Sequence, residues 1–175
     1  MPVAAYAPYD TVVATSGAVM NEGTTPFAAE QQVKAFIAKF DPKHQLLIRA
    51  VRKALHTHFP TGAELAYDNY NFFVLGYGPT ERPSDAVVSM ACGANGVGLC
   101  FIHGARLPDP KKILLGSGSQ TRFIRLESVD VLKRPEVKTL LLLAIARART
   151  PFPTSGRRKL IIRSISAKQR PRRRA

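Results

Sequence analysis

Between Ala63 and His103 the chain reads as four short strand-like runs, each ended by a turn signal. Ala63–Tyr67 and Tyr70–Gly76 are separated by Asp68-Asn69, a pair suited to a tight turn. Asp85–Cys92 and Val97–His103 flank Gly93-Ala94-Asn95-Gly96, the clearest hairpin signal in the sequence. Strands joined by such short connections pair antiparallel, because a parallel neighbour needs a long crossover. Whatever else the chain does, its centre is expected to be an antiparallel sheet.

Helical patterns lie on either side of it. Thr25-Pro26 is a helix entry, a capping residue followed by proline at the first helical position. Ala29, Val33, Phe36, Ile37 and Phe40 then recur at helical spacing. Asp41-Pro42 repeats the entry for a second helix with the stripe Leu47, Val51, Ala54, Leu55 and His58, ended by Phe59-Pro60. Pro108, Asp109 and Pro110 break the chain, leaving at most a short helix over Lys111–Leu115. A flexible Gly116-Ser117-Gly118-Ser119 loop feeds a strand over Arg122–Glu127, and Ser128 or Asp130 is placed to cap a turn. Pro135 opens a wide-faced helix to about Arg147, and Lys159–Ile165 reads as a last strand. The order predicts an α+β two-layer sandwich, an antiparallel sheet of five or six strands with helices packed on one face.

Charge is unevenly placed along this frame. The net charge of +14 divides into −2 for residues 1–29, +7 for residues 30–156 and +9 from Arg157 onward. Residues 1–27 are expected to be a disordered tail, within which Met20 is a possible start, residues 28–165 the domain, and residues 166–175 a solvated basic tail. Two cysteines are too few for a disulfide framework, and the hairpin puts Cys92 and Cys100 on opposite sheet faces as buried thiols. Leu140–Ala146, the most hydrophobic run, is far shorter than the roughly 20 residues of a spanning helix, so a cytoplasmic protein without a membrane partner is expected.

Four segments carry a family resemblance: Tyr-Asp-Asn-Tyr at 67–70, Gly-Tyr-Gly-Pro-Thr-Glu-Arg-Pro-Ser-Asp-Ala at 76–86, Gly-Ser-Gly-Ser-Gln-Thr-Arg-Phe-Ile-Arg-Leu at 116–126, and Ser-Ala-Lys-Gln-Arg-Pro-Arg-Arg at 166–173. Together they resemble the YdhG-like family, a domain of unknown function, over about Ala28–Arg173. The resemblance implies a frataxin-like sandwich, and some relatives are described as iron chaperones. Many relatives read Gly-Ser-Gly-Lys where this chain has Ser119, which removes any role of that lysine here.

The residues themselves argue against iron delivery. Hard cations want carboxylate oxygens, yet the first two helices carry Glu30 and Asp41 against Lys34, Lys39, Lys43, Arg49, Arg52 and Lys53. His56 and His58 fall on different sides of a helix, and Cys92, Cys100 and His103 lack zinc-site spacing, so no metal or other cofactor is expected. No catalytic set can be assembled from the sequence. What stands out is a recognition surface of Tyr67, Asp68, Tyr70, Tyr77, Arg82 and Asp85, joined by Ser119 and Arg122 from the glycine loop. The leading expectation is a non-enzymatic small-ligand or chaperone-like binding module, its partner a small ligand or a protein. The alternative is an accessory protein holding nucleic acid non-specifically through Arg157, Arg158, Lys159, Lys168, Arg170, Arg172, Arg173 and Arg174, with steep salt dependence as its mark.

Overall fold

The computed structural model describes residues 24–173, so the possible start at Met20 and the tail residue Arg174 lie outside the described residues. Helix α1 (Pro26–Ala38) begins where its capping signal stands, with the Thr25 hydroxyl accepting from Ala28 N at 3.2 Å. Helix α2 (Pro42–His58) is capped likewise by Asp41, whose carboxylate accepts from His44 N at 2.9 Å. That backbone bond is also what holds the Asp41 carboxyl below its usual range. The α1 stripe is buried as expected, and of the expected α2 stripe Val51 and Leu55 are buried, joined by Ile48 and Arg52, while Leu47 and Ala54 are only half-buried. An arginine therefore sits on an apolar face. His58, assigned to the stripe, is only half-buried.

Four strands follow as an antiparallel meander: β1 (Ala63–Asp68), β2 (Phe73–Gly78), β3 (Val88–Gly93) and β4 (Gly96–Phe101). The expected two-residue turn at Asp68-Asn69 does not form. Asp68 belongs to β1 and pairs with Phe73, and the connection is the longer stretch 69–72, closed by Asn69 N donating to Phe72 O at 2.9 Å. The next hairpin turns on Ala94-Asn95, with Gly93 facing Gly96, and Cys92 faces Val97. Cys92 and Cys100 remain an odd number of residues from a shared pair, so their thiols do lie on opposite faces. No helix forms over 111–115. Instead the Asp109 carboxylate accepts from Ile113 N and Leu114 N, and Leu115 bridges to Phe123.

Strand β5 (Arg122–Arg125) adds to β4, and after a 3₁₀ turn at Val129–Lys133 comes α3 (Pro135–Ala146). The last strand, β6 (Lys159–Ile165), pairs parallel with β1, not antiparallel, with an irregularity between Ala66 and Tyr67. The described residues thus form an α+β fold of three helices and an open, mixed, mostly antiparallel sheet in the order β5-β4-β3-β2-β1-β6. Buried residues of all three helices merge into one core with Ala66, Phe73, Leu75, Tyr77, Met90, Leu99 and Phe101, on one sheet face. The opposite face holds a separate small cluster of Val74, Ala91, Cys100 and Phe123. Among the described residues no helix is long and apolar enough to cross a membrane. Between α2 and β1 the backbone of Gly62 turns through φ +79°, and a Cβ there would lie 2.3 Å from Gly78 O.

Candidate functional site

The eight residues expected to form one recognition surface are dispersed. Tyr77 is fully buried on the helix-covered face, where its hydroxyl donates to Glu64 Oε1 at 2.8 Å. Asp68 is fully buried at the end of β1, paired with Lys39 and with Arg172 Nη2 at 3.0 Å. Tyr67 is half-buried on the outer face, where burial pushes its phenol up against the opposing charge of Arg163. Tyr70 is 48% exposed. Arg82 is exposed, and Asp85 accepts from the Thr80 hydroxyl at 2.6 Å, so Asp85 serves the turn after β2 and forms no pair with Arg82. Arg122 donates to the carbonyls of Gly118 and Thr121 and so braces the glycine loop.

The basic end of the chain is equally altered by the fold. Residues 166–173 do not form a solvated tail. Arg172 is 4% exposed, Arg173 donates to Ala38 O at 3.4 Å, and the Arg170 guanidinium lies 5.6 Å from the Tyr70 ring centre. Arg158 is turned inward to donate to Phe59 O at 2.6 Å, and Lys159 pairs with Glu81 at 3.2 Å. Arg157 and Lys168 stay exposed.

Sequence reasoning missed a buried ionic network on the helix-covered side. Glu64 on β1 is 1% exposed and sits beneath α2. Arg52 Nε and Nη2 donate to its two oxygens at 2.9 Å each, and the same guanidinium grips Glu30 at 2.6 and 2.8 Å. His56 Nε2 lies 3.0 Å from Glu64 Oε1, which Tyr77 also donates to. Burial works to raise the Glu64 pKa, but the hydrogen bonds from His56 and Arg52 outweigh it and hold the carboxyl at about 2. Burial likewise opposes the charge on Arg52, and its bonds to Glu30 and Glu64 raise its pKa instead. Glu30 is held low, first by its bond from Arg52. Both carboxylates and the guanidinium thus stay ionised, satisfied by one another. The signal was present in the sequence: Arg52 recurs with Ile48 and Leu55 at helical spacing, and Glu64 stands between alanine and leucine in a strand.

The two thiols are poor nucleophiles by the same physics. Burial pushes Cys92 far above its usual value and Cys100 up to about 12, the Ser89 hydroxyl opposing the latter only in part. Neither is expected to react with iodoacetamide at pH 8 until the chain unfolds, and rapid labelling of the folded protein by mass spectrometry would refute this.

Two concavities stand out among the described residues. On the outer sheet face a shallow trough lined by Leu65, Tyr67, Val74, Ser89 and Cys100 encloses about 40 Å³. That is room for a water or a methyl group, not for a metabolite. At the end of the sheet a cleft of about 820 Å³ opens between the turn at Pro83–Asp85, the end of β4, the glycine loop and the end of α3. Arg106, Arg147, Arg149 and His103 line it, together with Ser119, Gln120 and Thr121 and the apolar Val87, Phe101, Leu107, Ala144 and Ala148. Arg147 Nη1 donates to Arg106 O at 2.6 Å, which ties the end of α3 to the segment after β4. Of the expected surface, Asp85 and Ser119 reach this cleft. Its arginines, Arg106 against Arg147 and Arg149, stand far apart in the sequence and carry no local signal there. Comparison with family models, curated proteins and solved structures finds no match for this chain.

Proposed function

We propose that the chain is a non-enzymatic binding module for a small anionic metabolite, held in the cleft between the glycine loop and the end of α3. The observation that carries this reading is the pairing of Arg106, Arg147, Arg149 and His103 with an apolar wall in about 820 Å³. Such a volume suits a metabolite-sized ligand, and guanidinium groups match carboxylate and phosphate in charge and geometry. The acidic group faces the arginines, the body of the ligand lies on Leu107 and Ala148, and the hydroxyls of Ser119 and Thr121 supply orienting bonds. Asp85, which accepts from the Thr80 hydroxyl, is one carboxylate among the lining residues against the three arginines, so the balance of charge there is positive. The reading also includes membership of the YdhG-like family with a frataxin-like arrangement. What supports it is the set of four motifs together with helices on one face of a largely antiparallel sheet. No observation favours polyanion binding by the basic end over the cleft.

A melting screen with small carboxylates and phosphate esters tests the proposal. At a hundred times its dissociation constant a ligand adds about 2.7 kcal/mol, which raises the Tm of a domain this size by roughly 5–10 °C. Replacing Arg106 and Arg149 together by alanine is expected to weaken binding about tenfold or more, since each charged hydrogen bond contributes roughly 1.5–3 kcal/mol. An equal shift in the double variant, or no shift with any anion, would sink it.

A further inference from the structure

The chain after β6 doubles back over the corner where β1 ends. Ser166 N donates to Asp68 O and Arg170 N to Tyr70 O, both at 2.9 Å, so the segment is aligned by its backbone. Its side chains then read the corner. Arg172 Nη2 bonds the Asp68 carboxylate at 3.0 Å and also the Asn69 carbonyl, and Nη1 lies 3.5 Å from Tyr70 O. Gln169 is bound twice, accepting from Lys39 Nζ at 2.8 Å and donating to Asp68 O at 3.0 Å. Arg170 lies over the Tyr70 ring.

Each group that receives the segment belongs to the C-terminal end of α1 with its cap Lys39, to β1 or to the loop after β1. A carboxylate and two carbonyls stand where the Arg172 guanidinium fits, the Tyr70 ring lies under Arg170, and Lys39 matches the glutamine oxygen. We propose that this corner is a receptor for a Gln-Arg-Pro-Arg segment, occupied by the chain's own residues 169–172 and open to the same segment of a second copy. Exchange between copies keeps every contact and changes only which chain supplies it, which is why such swapping costs little. The segment's own tether gives it an effective concentration in the millimolar range, so the resident segment competes strongly with any incoming one.

The probe is a labelled peptide of residues 166–173 added to the full chain. A basic peptide is repelled by a protein of net charge +14, so binding reports the corner and not bulk attraction. With Arg172→Ala, which weakens the resident segment and leaves the receptor intact, half-saturation is expected at a peptide concentration about tenfold lower than with the native chain. With Arg172→Ala and Asp68→Asn combined, polarisation should stay flat. In sedimentation, the native chain should show a dimer fraction that grows with concentration and shrinks when unlabelled peptide is added. Equal binding with and without Asp68, or a native chain that sediments as a single monomer at every concentration, overturns the proposal.

Discussion

Replacing Glu64 by alanine is expected to cost about 3–5 kcal/mol, the loss typical of breaking a buried ion pair from one side. Arg52 keeps Glu30 but loses two of its four bonds, while Tyr77 and His56 lose their acceptor inside the core. The Tm should fall on the order of 10 °C, and a change below about 2 °C would mean that the acid is a bystander. The comparison that separates charge from packing is Arg52→Met with Glu64→Met. Apolar residues of similar volume are expected to restore part of the loss, because the desolvation of the two ions disappears with them, while Tyr77 and His56 still lack their acceptor.

The same network sets the response to acid. The Glu64 carboxyl titrates near 4.5 when solvated and at about 2 in the fold. A depressed folded value means that the stabilisation is complete above the unfolded pKa and is lost as pH falls from about 5 toward 2. The shift corresponds to about 3 kcal/mol across that window. Glu30, also held low, adds in the same direction. Chemical denaturation of the native chain and of Glu64→Gln at a series of pH values reads this directly. The native slope should be distinctly steeper, and parallel curves would contradict it.

A second large effect is expected at Asp68. Alanine there leaves Lys39 and Arg172 without their shared carboxylate, and Arg172 is nearly enclosed. A loss of about 3–5 kcal/mol follows from the uncompensated charge. Because Arg172→Ala removes one of the same contacts, the two changes should be strongly non-additive, with a coupling of roughly 1–3 kcal/mol in a double-mutant cycle. Trypsin supplies an independent readout. Lys168 is exposed, but cleavage after it needs several residues to leave the corner. Asp68→Ala should be clipped there many times faster than the native chain, and equal rates would show that the corner does not hold the segment.

Local chemistry made much of this fold legible. Thr25 and Asp41 cap the helices they were expected to cap, and the glycines at 93 and 96 mark a real hairpin. Those features depend on a few adjacent residues. Asp68-Asn69 misled because its turn-forming character is local, whereas Asp68 is drawn into β1 by cations from α1 and from the segment after β6. The same holds for the site. Glu64 and Arg52 stand on separate elements, and only the packing of α2 on β1 joins them. The arginines of the cleft come from the segment after β4 and from the end of α3, which only the tertiary fold brings close. The parallel docking of β6 was illegible for a related reason, since nothing in a strand's own pattern states which edge it joins.

That docking also bears on the order in which the protein matures during translation. The helices and the meander are made before β6, and domains tend to acquire structure as they emerge. Until β6 and the residues after it arrive, β1 is an edge strand with an open ladder of hydrogen-bonding groups, and Asp68 lacks Arg172. The nascent protein therefore passes through a stage in which the outer edge of β1 is uncovered, and β6 with the segment after it is what closes that edge.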